Sequence, residues 1–575
     1  MRGRFEAITG YKIVILPMAI FFLSIAPFGA QGQILPERVM RILEAEAERG
    51  GSDLEGLVNY CEQLMEAPLD INSATEGELG AFPLLSPFQV ASLLEYREQY
   101  GDILSRGELE QVDGFNAEKV DNLLPFISFG GSSSIYPSTE ERISHKIVLR
   151  GTRKFAAEDP WGYYGKYQFK VGDKLQVGST VSSNGVSAHL KVGGVSLGDK
   201  FLIRSGVVGD YSVRLGQGLL VWNSFSLSGA GDPSSLLKLG GMVVPYTAST
   251  PEEAFRGVGL SLGYADKVEA SLFYSEQSDR VAGGSFEFRG DRWRVGVNTI
   301  ATVSDGADGG VSIDGMWSIG RFRLFSEAAM DFGGDGAFLC GAVAPVSGAF
   351  ECSALFRWYS PGYSSRYAGA FSSISSCKDQ VGGFFNVLWT PLPNLVCRGT
   401  MDVVYYPAPR WGVKVPSSEV ESAGELEWSR GDHELTVRGR YRYYGYQGRH
   451  QSGVRIHYSY KPSSGLYGAV RGEVVWNNIY KGDLSPGVAS YLECGYLSAG
   501  GKWDVVVRGT VYHIDEWDNR IYFYERDLPQ NFSVPALYRR GWDIYGYIKY
   551  APLRRVGLYL KISTKMVKGQ INLTF

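Results

Sequence analysis

Past its first 30 residues the sequence has no run of about 18 consecutive apolar residues, the length a helix needs to cross a bilayer, so any later membrane insertion must use strands. Cysteine is scarce as well. The six present (Cys61, Cys340, Cys352, Cys377, Cys397, Cys494) show no CxxC spacing, which argues against a zinc ribbon and a dense disulfide framework. Cys340 and Cys352 flank a candidate turn near Val346 and are either a hairpin disulfide or two unpaired small hydrophobes. The six histidines form no HExxH pair, since His433-Glu434 lacks the second histidine, and no Walker loop occurs. No motif calls for a metal or a cofactor. Basic residues are depleted in one region: residues 31–130 carry 6 Lys and Arg against 19 Asp and Glu, a net of −13, whereas residues 131–575 carry 48 against 41.

Glycine (73), tyrosine (35) and tryptophan (12) are plentiful, and the mean hydropathy of −0.11 is near neutral, a texture suited to many short strands joined by turns. Arg2, Arg4 and Lys12 precede the apolar run IVILPMAIFFLSIA (13–26), with small residues at Ala30 and Gly32. That order predicts a secretory signal peptide over residues 1–32. A membrane anchor is the competing reading, opposed by Pro17 and Pro27, which bound too short a core. Residues 33–68 read as an acidic helical lead-in of two amphipathic helices, one through Val39, Ile42 and Leu43, the other through Leu54, Leu57, Val58, Cys61 and Leu64, with Ser52 or Asp53 as the second cap.

Residues 69–129 carry four helix starts. Ser73 with Glu76, Ser86 with Gln89, and Ser105 with Glu108 fit the capping box, Pro87 suits a first helical position, Asn116 is a fourth cap, and Gly101 ends the long helix. The order INSAT…EL…P…YRE..G…EL..V.GF…K…LLPF resembles the ComEA-type tandem helix-hairpin-helix domain of DNA-uptake proteins. That resemblance implies hairpin turns, Gly-hydrophobic-Gly in the family, whose backbone N–H groups hold a DNA phosphate at a helix N-terminus. Here the turns read Leu84-Leu85-Ser86 and Gly114-Phe115-Asn116, with Lys119 as a weak phosphate contact and Asp113 and Glu118 beside it. Lost glycines and a deficit of cations oppose phosphate binding. The same turns are candidates for docking a protein.

A Gly/Ser linker (130–141) leads to period-two alternation over residues 142–575, seen in Ile143, His145, Ile147 and Leu149, and again in Val556, Leu558, Leu560 and Ile562. The pattern predicts a mainly β fold, a large transmembrane antiparallel β-barrel of roughly 22–26 strands preceded by the small all-α domain. Aromatic residues gather at strand ends, as interface girdles require. Ile571, Leu573 and Phe575 resemble the signal that hands such barrels to the barrel-assembly machinery. Two stretches stand out: residues 209–225 (Gly209, Asp210, Gly216, Gln217, Gly218, Trp222) and residues 522–542 (Glu525, Arg526, Asp527). Both resemble segments of a family of secreted Gram-negative proteins that join an acidic, glycine-poor helix-hairpin-helix domain to a large barrel. The resemblance implies an outer-membrane location with the N-terminal domain periplasmic, and no established activity.

The expectation is a non-enzymatic barrel in outer-membrane lipid whose helical module docks a periplasmic protein partner or the barrel mouth, serving as channel, transporter or assembly platform. DNA uptake through the helical module is one alternative. An outer-membrane hydrolase is another, built on His513, Asp515, Glu516 and Asp518 with Glu525 and Asp527, if those groups converge.

Overall fold

The computed structural model describes residues 39–44, most of 58–129 and most of 143–575. The expected signal peptide (1–32), the linker (130–141), and the caps Ser52, Asp53, Ser86 and Asn116 lie outside the described residues, as do 225–231, 249–253, 303–307 and 478–485.

Hydrocarbon offers no partner to a backbone N–H or C=O, so a sheet that spans a membrane must close on itself. Twenty-four antiparallel strands do so here, with Met242–Pro245 added as a short extra strand on the end of Phe201–Arg214. The seam joins Met566–Thr574 to Ile143–Lys154, with Gly569 opposite Gly151. Phe575 N–H donates to the His145 carbonyl (2.9 Å) and His145 N–H to that of Phe575 (3.1 Å), so pairing runs to the last residue.

Strand periodicity sorts side chains between lipid and lumen. In Phe322–Asp331, Arg323, Phe325, Glu327, Ala329 and Asp331 are buried toward the lumen, while Phe322, Leu324 and Met330 are exposed. Ile571 and Phe575 lie on the outer face, and their neighbour Asn572 is buried. Two aromatic girdles result. Phe201, Tyr264, Trp293, Trp317, Trp389 and Trp503 are exposed beside one set of strand ends, and Trp161, Tyr163, Tyr274, Trp358, Tyr405 and Trp542 beside the other.

The two rims differ in their connections. At the rim where the first barrel strand begins and the last ends, turns between successive strands are two to five residues long. The opposite rim carries the long segments 215–254, 360–379 and 515–538. Cys352 faces Ala344 and Cys340 faces Phe356 across their hairpin, so the two thiols are unpaired.

The helical module has its own core. Val39, Ile42, Leu43, Val58, Cys61 and Leu64 of the lead-in bury with Phe82, Leu93, Phe115 and Phe126, while Leu54 and Leu57 of the second expected face, and Glu76 of the first expected capping box, lie outside the described residues. Ser105 caps the Glu108 N–H (3.3 Å), and the Glu108 carboxylate reaches back to the N–H of Leu104 (2.9 Å), one residue before the cap, a shifted form of the expected capping box. Gly101 ends helix Pro87–Tyr100 at φ +88°, its N–H on the Arg97 carbonyl. Asn72 holds the module shut: its amide donates to the Ile103 and Phe129 carbonyls (2.8 and 2.9 Å), and its oxygen accepts from Ile103 N–H (2.8 Å). Leu69–Asp70 pairs in parallel with Ile127–Ser128, joining the two ends.

The lipid face makes a direct test. Val297→Arg, on an exposed outward position of strand Trp293–Thr302, should cost about 2–4 kcal/mol if Val297 lies at the bilayer midplane. The measurement is the guanidinium unfolding midpoint in lipid bilayers, and an unchanged midpoint would place Val297 away from lipid.

Candidate functional site

A helix turn brings residues three apart onto one face, and in 39–44 that face carries Arg41 and Glu44. Both reach the inner wall of the barrel. Arg41 pairs with Glu427 (2.6 Å) and Glu434 (3.1 Å) and donates to the Thr436 hydroxyl (2.8 Å). Burial by itself would disfavour the Arg41 charge, but Glu427, Glu425 and Glu434 outweigh it and hold the guanidinium protonated well above its ordinary range. Glu44 accepts from Arg471 (2.7 Å), Arg455 (3.1 Å) and the Tyr524 N–H (2.7 Å), while Glu473 braces both arginines at 2.8 and 3.0 Å. Arg455 and Arg471 sit five or six residues from the short turn 461–464, so Glu44 lies roughly 20 Å along the strands from that rim. The lead-in helix is thus inserted into the lumen.

The hairpin turns also face inward. Leu85 and Phe115 are buried in the module core, and Leu84 packs against it. Gly114 adopts φ +89° and accepts a hydrogen bond from the Gln89 amide (3.1 Å), which ties the two hairpins together. Lys119, the one lysine between residues 31 and 130, is buried in a salt bridge with Glu351 of the wall. Asp113 lies 3.8 Å from Arg321 at the short-turn rim. The cation nearest the second turn is therefore committed to a carboxylate of the barrel.

From the opposite rim, both conspicuous stretches fold into the lumen. Gly209 adopts φ +101°, and a Cβ there would sit 2.2 Å from the Ala188 carbonyl oxygen, a close approach only glycine allows. Beyond it Asp210, Tyr211, Ser212 and Val213 are all buried, with Asp210 held by Arg256 (2.6 Å) and Ala188 N–H (2.8 Å). The loop tip is gripped by Glu327, whose carboxylate accepts from Gln217 N–H (2.7 Å), Leu219 N–H (3.1 Å) and the Ser312 hydroxyl (2.7 Å). Gly216 (φ +53°) and Gly218 (φ +94°) make that approach feasible. The Gln217 side chain bonds both ways to the Lys238 backbone, and Trp222 N–H donates to Tyr367 of segment 360–379 (2.8 Å). Leu215, Leu219, Leu220 and Val221 pack with Tyr363, Ala370 and Phe371, an apolar filling between two loops and the wall.

The third segment lies inside the barrel along one run of adjacent strands. Arg526 pairs with Asp504 and donates to the Tyr467 hydroxyl (2.8 Å). Asp527 pairs with Lys568 (2.6 Å) and Glu525 with Lys561 (3.4 Å). Burial raises the Asp527 pKa, but Lys561 and Lys568 hold it below the ordinary carboxylate range. Tyr524, Phe532 and Val534 of this segment join the core of the helical module.

The groups singled out for hydrolysis disperse. His513 and Asp515 meet at 3.1 Å on an exposed edge with Arg540, Asp518 pairs with Arg449, and Glu525 and Asp527 serve the loop anchor. Two GxSxG spacings that sequence reading passes over, at 194–198 and 259–263, fall in or beside wall strands and form no strand-to-helix elbow. Sequence reading also missed Arg41, Glu44 and Glu327. Their only signal is a charged residue on an otherwise apolar face, too common to single out.

Residues 66–128 match the helix-hairpin-helix motif family. No curated protein matches the chain. Among solved structures, the chain is similar to the FrpB iron transporter from Neisseria meningitidis (F5-1 variant) at 9% identity and TM-score 0.38, over 76% of this chain and 82% of that one. It is similar to the copper transporter OprC at 10% identity and TM-score 0.39, over 76% and 82%. A BenF-like porin from Pseudomonas fluorescens Pf-5 gives 8% identity and TM-score 0.31, over 75% and 97%. Likeness at this level adds nothing to the fold already described.

Glu327→Ala strips the loop tip of the acceptor for two buried N–H groups, each worth about 1–3 kcal/mol when left unsatisfied. The thermal midpoint in detergent should fall, and segment 215–254 should become cleavable by protease. An unchanged midpoint with full protection would show that the clasp contributes nothing.

Proposed function

We propose that the protein is a plugged channel or transporter of a Gram-negative outer membrane, closed from the periplasmic side by its helix-hairpin-helix module and from the outer side by three infolded loops. The observation that carries this reading is the insertion of Arg41 and Glu44 among Glu427, Glu434, Arg455 and Arg471 of the lumen wall. The orientation follows from connection length, since outer-membrane barrels keep their short turns on the periplasmic side and their long loops outside.

The chemistry of the contact favours release. The module buries its apolar residues in its own core, to which the barrel adds Tyr524, Phe532 and Val534. Among the described residues it also grips the wall through ion pairs at Arg41, Glu44 and Lys119. Ion pairs exchange for hydration when separated, whereas a shared apolar core would have to be exposed to water. A periplasmic protein partner that engages the exposed Tyr100 and Leu104 of the module would supply the pull. DNA as the partner is opposed by Lys119, which is already paired with Glu351, and by the net −13 of residues 31–130.

The test is conductance of the full-length protein in planar bilayers. Arg41→Ala with Glu44→Ala leaves buried charges of the wall unpaired, at a cost of about 3–5 kcal/mol for each broken pair. The double variant should open frequently where the natural protein stays closed. Equal conductance of the two, with the barrel folded in both, would refute the plug.

A further inference from the structure

We infer that the helical module and segment 515–538 form one coupled gate, in which withdrawing the module loosens the tip of the loop and displacing the loop loosens the module; this deepens the plugged-channel reading above and rests on it. The junction is Glu44, whose carboxylate serves the wall and the loop at once. It accepts from Arg471 and Arg455 of the wall (2.7 and 3.1 Å) and from the Tyr524 N–H of the loop (2.7 Å). Arg471 closes the circuit by donating also to the Tyr522 carbonyl (3.3 Å), and Arg508 of the wall donates to the Tyr524 carbonyl (2.5 Å). Glu44 and Arg471 are both buried.

A buried circuit of this kind weakens as a whole. When Glu44 leaves, the Tyr524 N–H loses an acceptor and Arg471 loses a counter-charge, and both losses fall where the loop meets the wall. Apolar packing acts in the same direction. Tyr524, Phe532 and Val534 of the loop join the core of the module, so its withdrawal exposes them to water. Two elements that stabilise each other through shared contacts do so by the same free energy in either direction.

The base of the loop is held differently. Ile521–Tyr522 pairs with Ala536–Leu537, and Ile521, Phe523 and Leu537 pack with Ala489, Tyr491 and Ile514 of the wall. Arg526 and Asp527 tie the tip to Asp504 and Lys568, so a loosened tip opens locally without leaving the wall. Segment 360–379 supplies the contrast. Its Tyr363, Ala370 and Phe371 pack with Leu215, Leu219 and the wall, in a core that holds no residue of the module among those described. Segment 215–254 is intermediate, since Pro233–Leu236 approaches helix Pro87–Tyr100.

The experiment is hydrogen exchange of the full-length protein in lipid nanodiscs, read by mass spectrometry. Arg41→Ala cuts pairs between the module and the wall, and Asp527→Asn cuts pairs between the loop and the wall. Arg41→Ala should speed exchange about fivefold or more in residues 524–534 as well as in 39–44, and Asp527→Asn in 39–44 as well as in 524–534. Residues 360–379 should keep their rate in both. Glu434→Gln and Lys568→Gln cut the same pairs from the wall side and replace either chain should it fail to fold. Faster exchange confined to the altered element, no change at all, or a rise that extends to 360–379 would overturn the coupled gate. Conductance of the Arg41→Ala, Glu44→Ala protein separates the two failures: current without the crossed effect leaves the plug intact, and no current overturns the plug and this gate with it.

Discussion

A sheet in hydrocarbon cannot leave an edge unpaired, and the remaining features of this molecule follow from meeting that demand with 24 strands. Closure forces alternate side chains outward to lipid and inward to a lumen too wide for wall side chains alone to fill. The inner positions are accordingly polar or charged, and they need partners of their own. Three loops from one rim and a helical module from the other provide them.

The two fillings differ in kind. Between the strands around Glu327 and segments 215–254 and 360–379, the packing is largely apolar and anchored by a buried carboxylate on backbone N–H groups, the arrangement of a permanent core. Between the module and the barrel, Arg41, Glu44 and Lys119 make ionic contacts, and among the described residues Tyr524, Phe532 and Val534 of segment 515–538 join the module's apolar core. The same physical chemistry therefore gives the loop side of the lumen an apolar filling and the module side ion pairs, the difference on which the proposed plug rests. The module meets a wall of mixed charge, in which Glu44 answers Arg455 and Arg471 while Arg41 and Lys119 answer Glu427, Glu434 and Glu351.

Much of the architecture was legible. Alternation announced the wall, capping residues announced Ser105 and Gly101, and the apolar faces of the lead-in reappear in the module core. The stretches around Gly216 and Arg526 stood out by composition, but their role did not, because infolding depends on what a loop meets across the lumen. Asn72 sits inside the motif that carried the family resemblance, yet its three hydrogen bonds join residues 31 and 57 positions away. The Cys340 and Cys352 question was settled by register, which sequence spacing cannot supply.

The amino-acid sequence alone determined the class of each part: strands with one lipid face, a small capped helical domain, and an acidic charge set against a basic remainder. These are local properties, written in periods of two and 3.6 residues and in counts of charge. Only the tertiary structure decided that the acidic part lies inside the basic one. That outcome depends on which of many matched charges meet, such as Glu44 with Arg455 and Arg471 more than 400 residues away. Charge complementarity states that an attraction exists, while the closed barrel selects where it is satisfied.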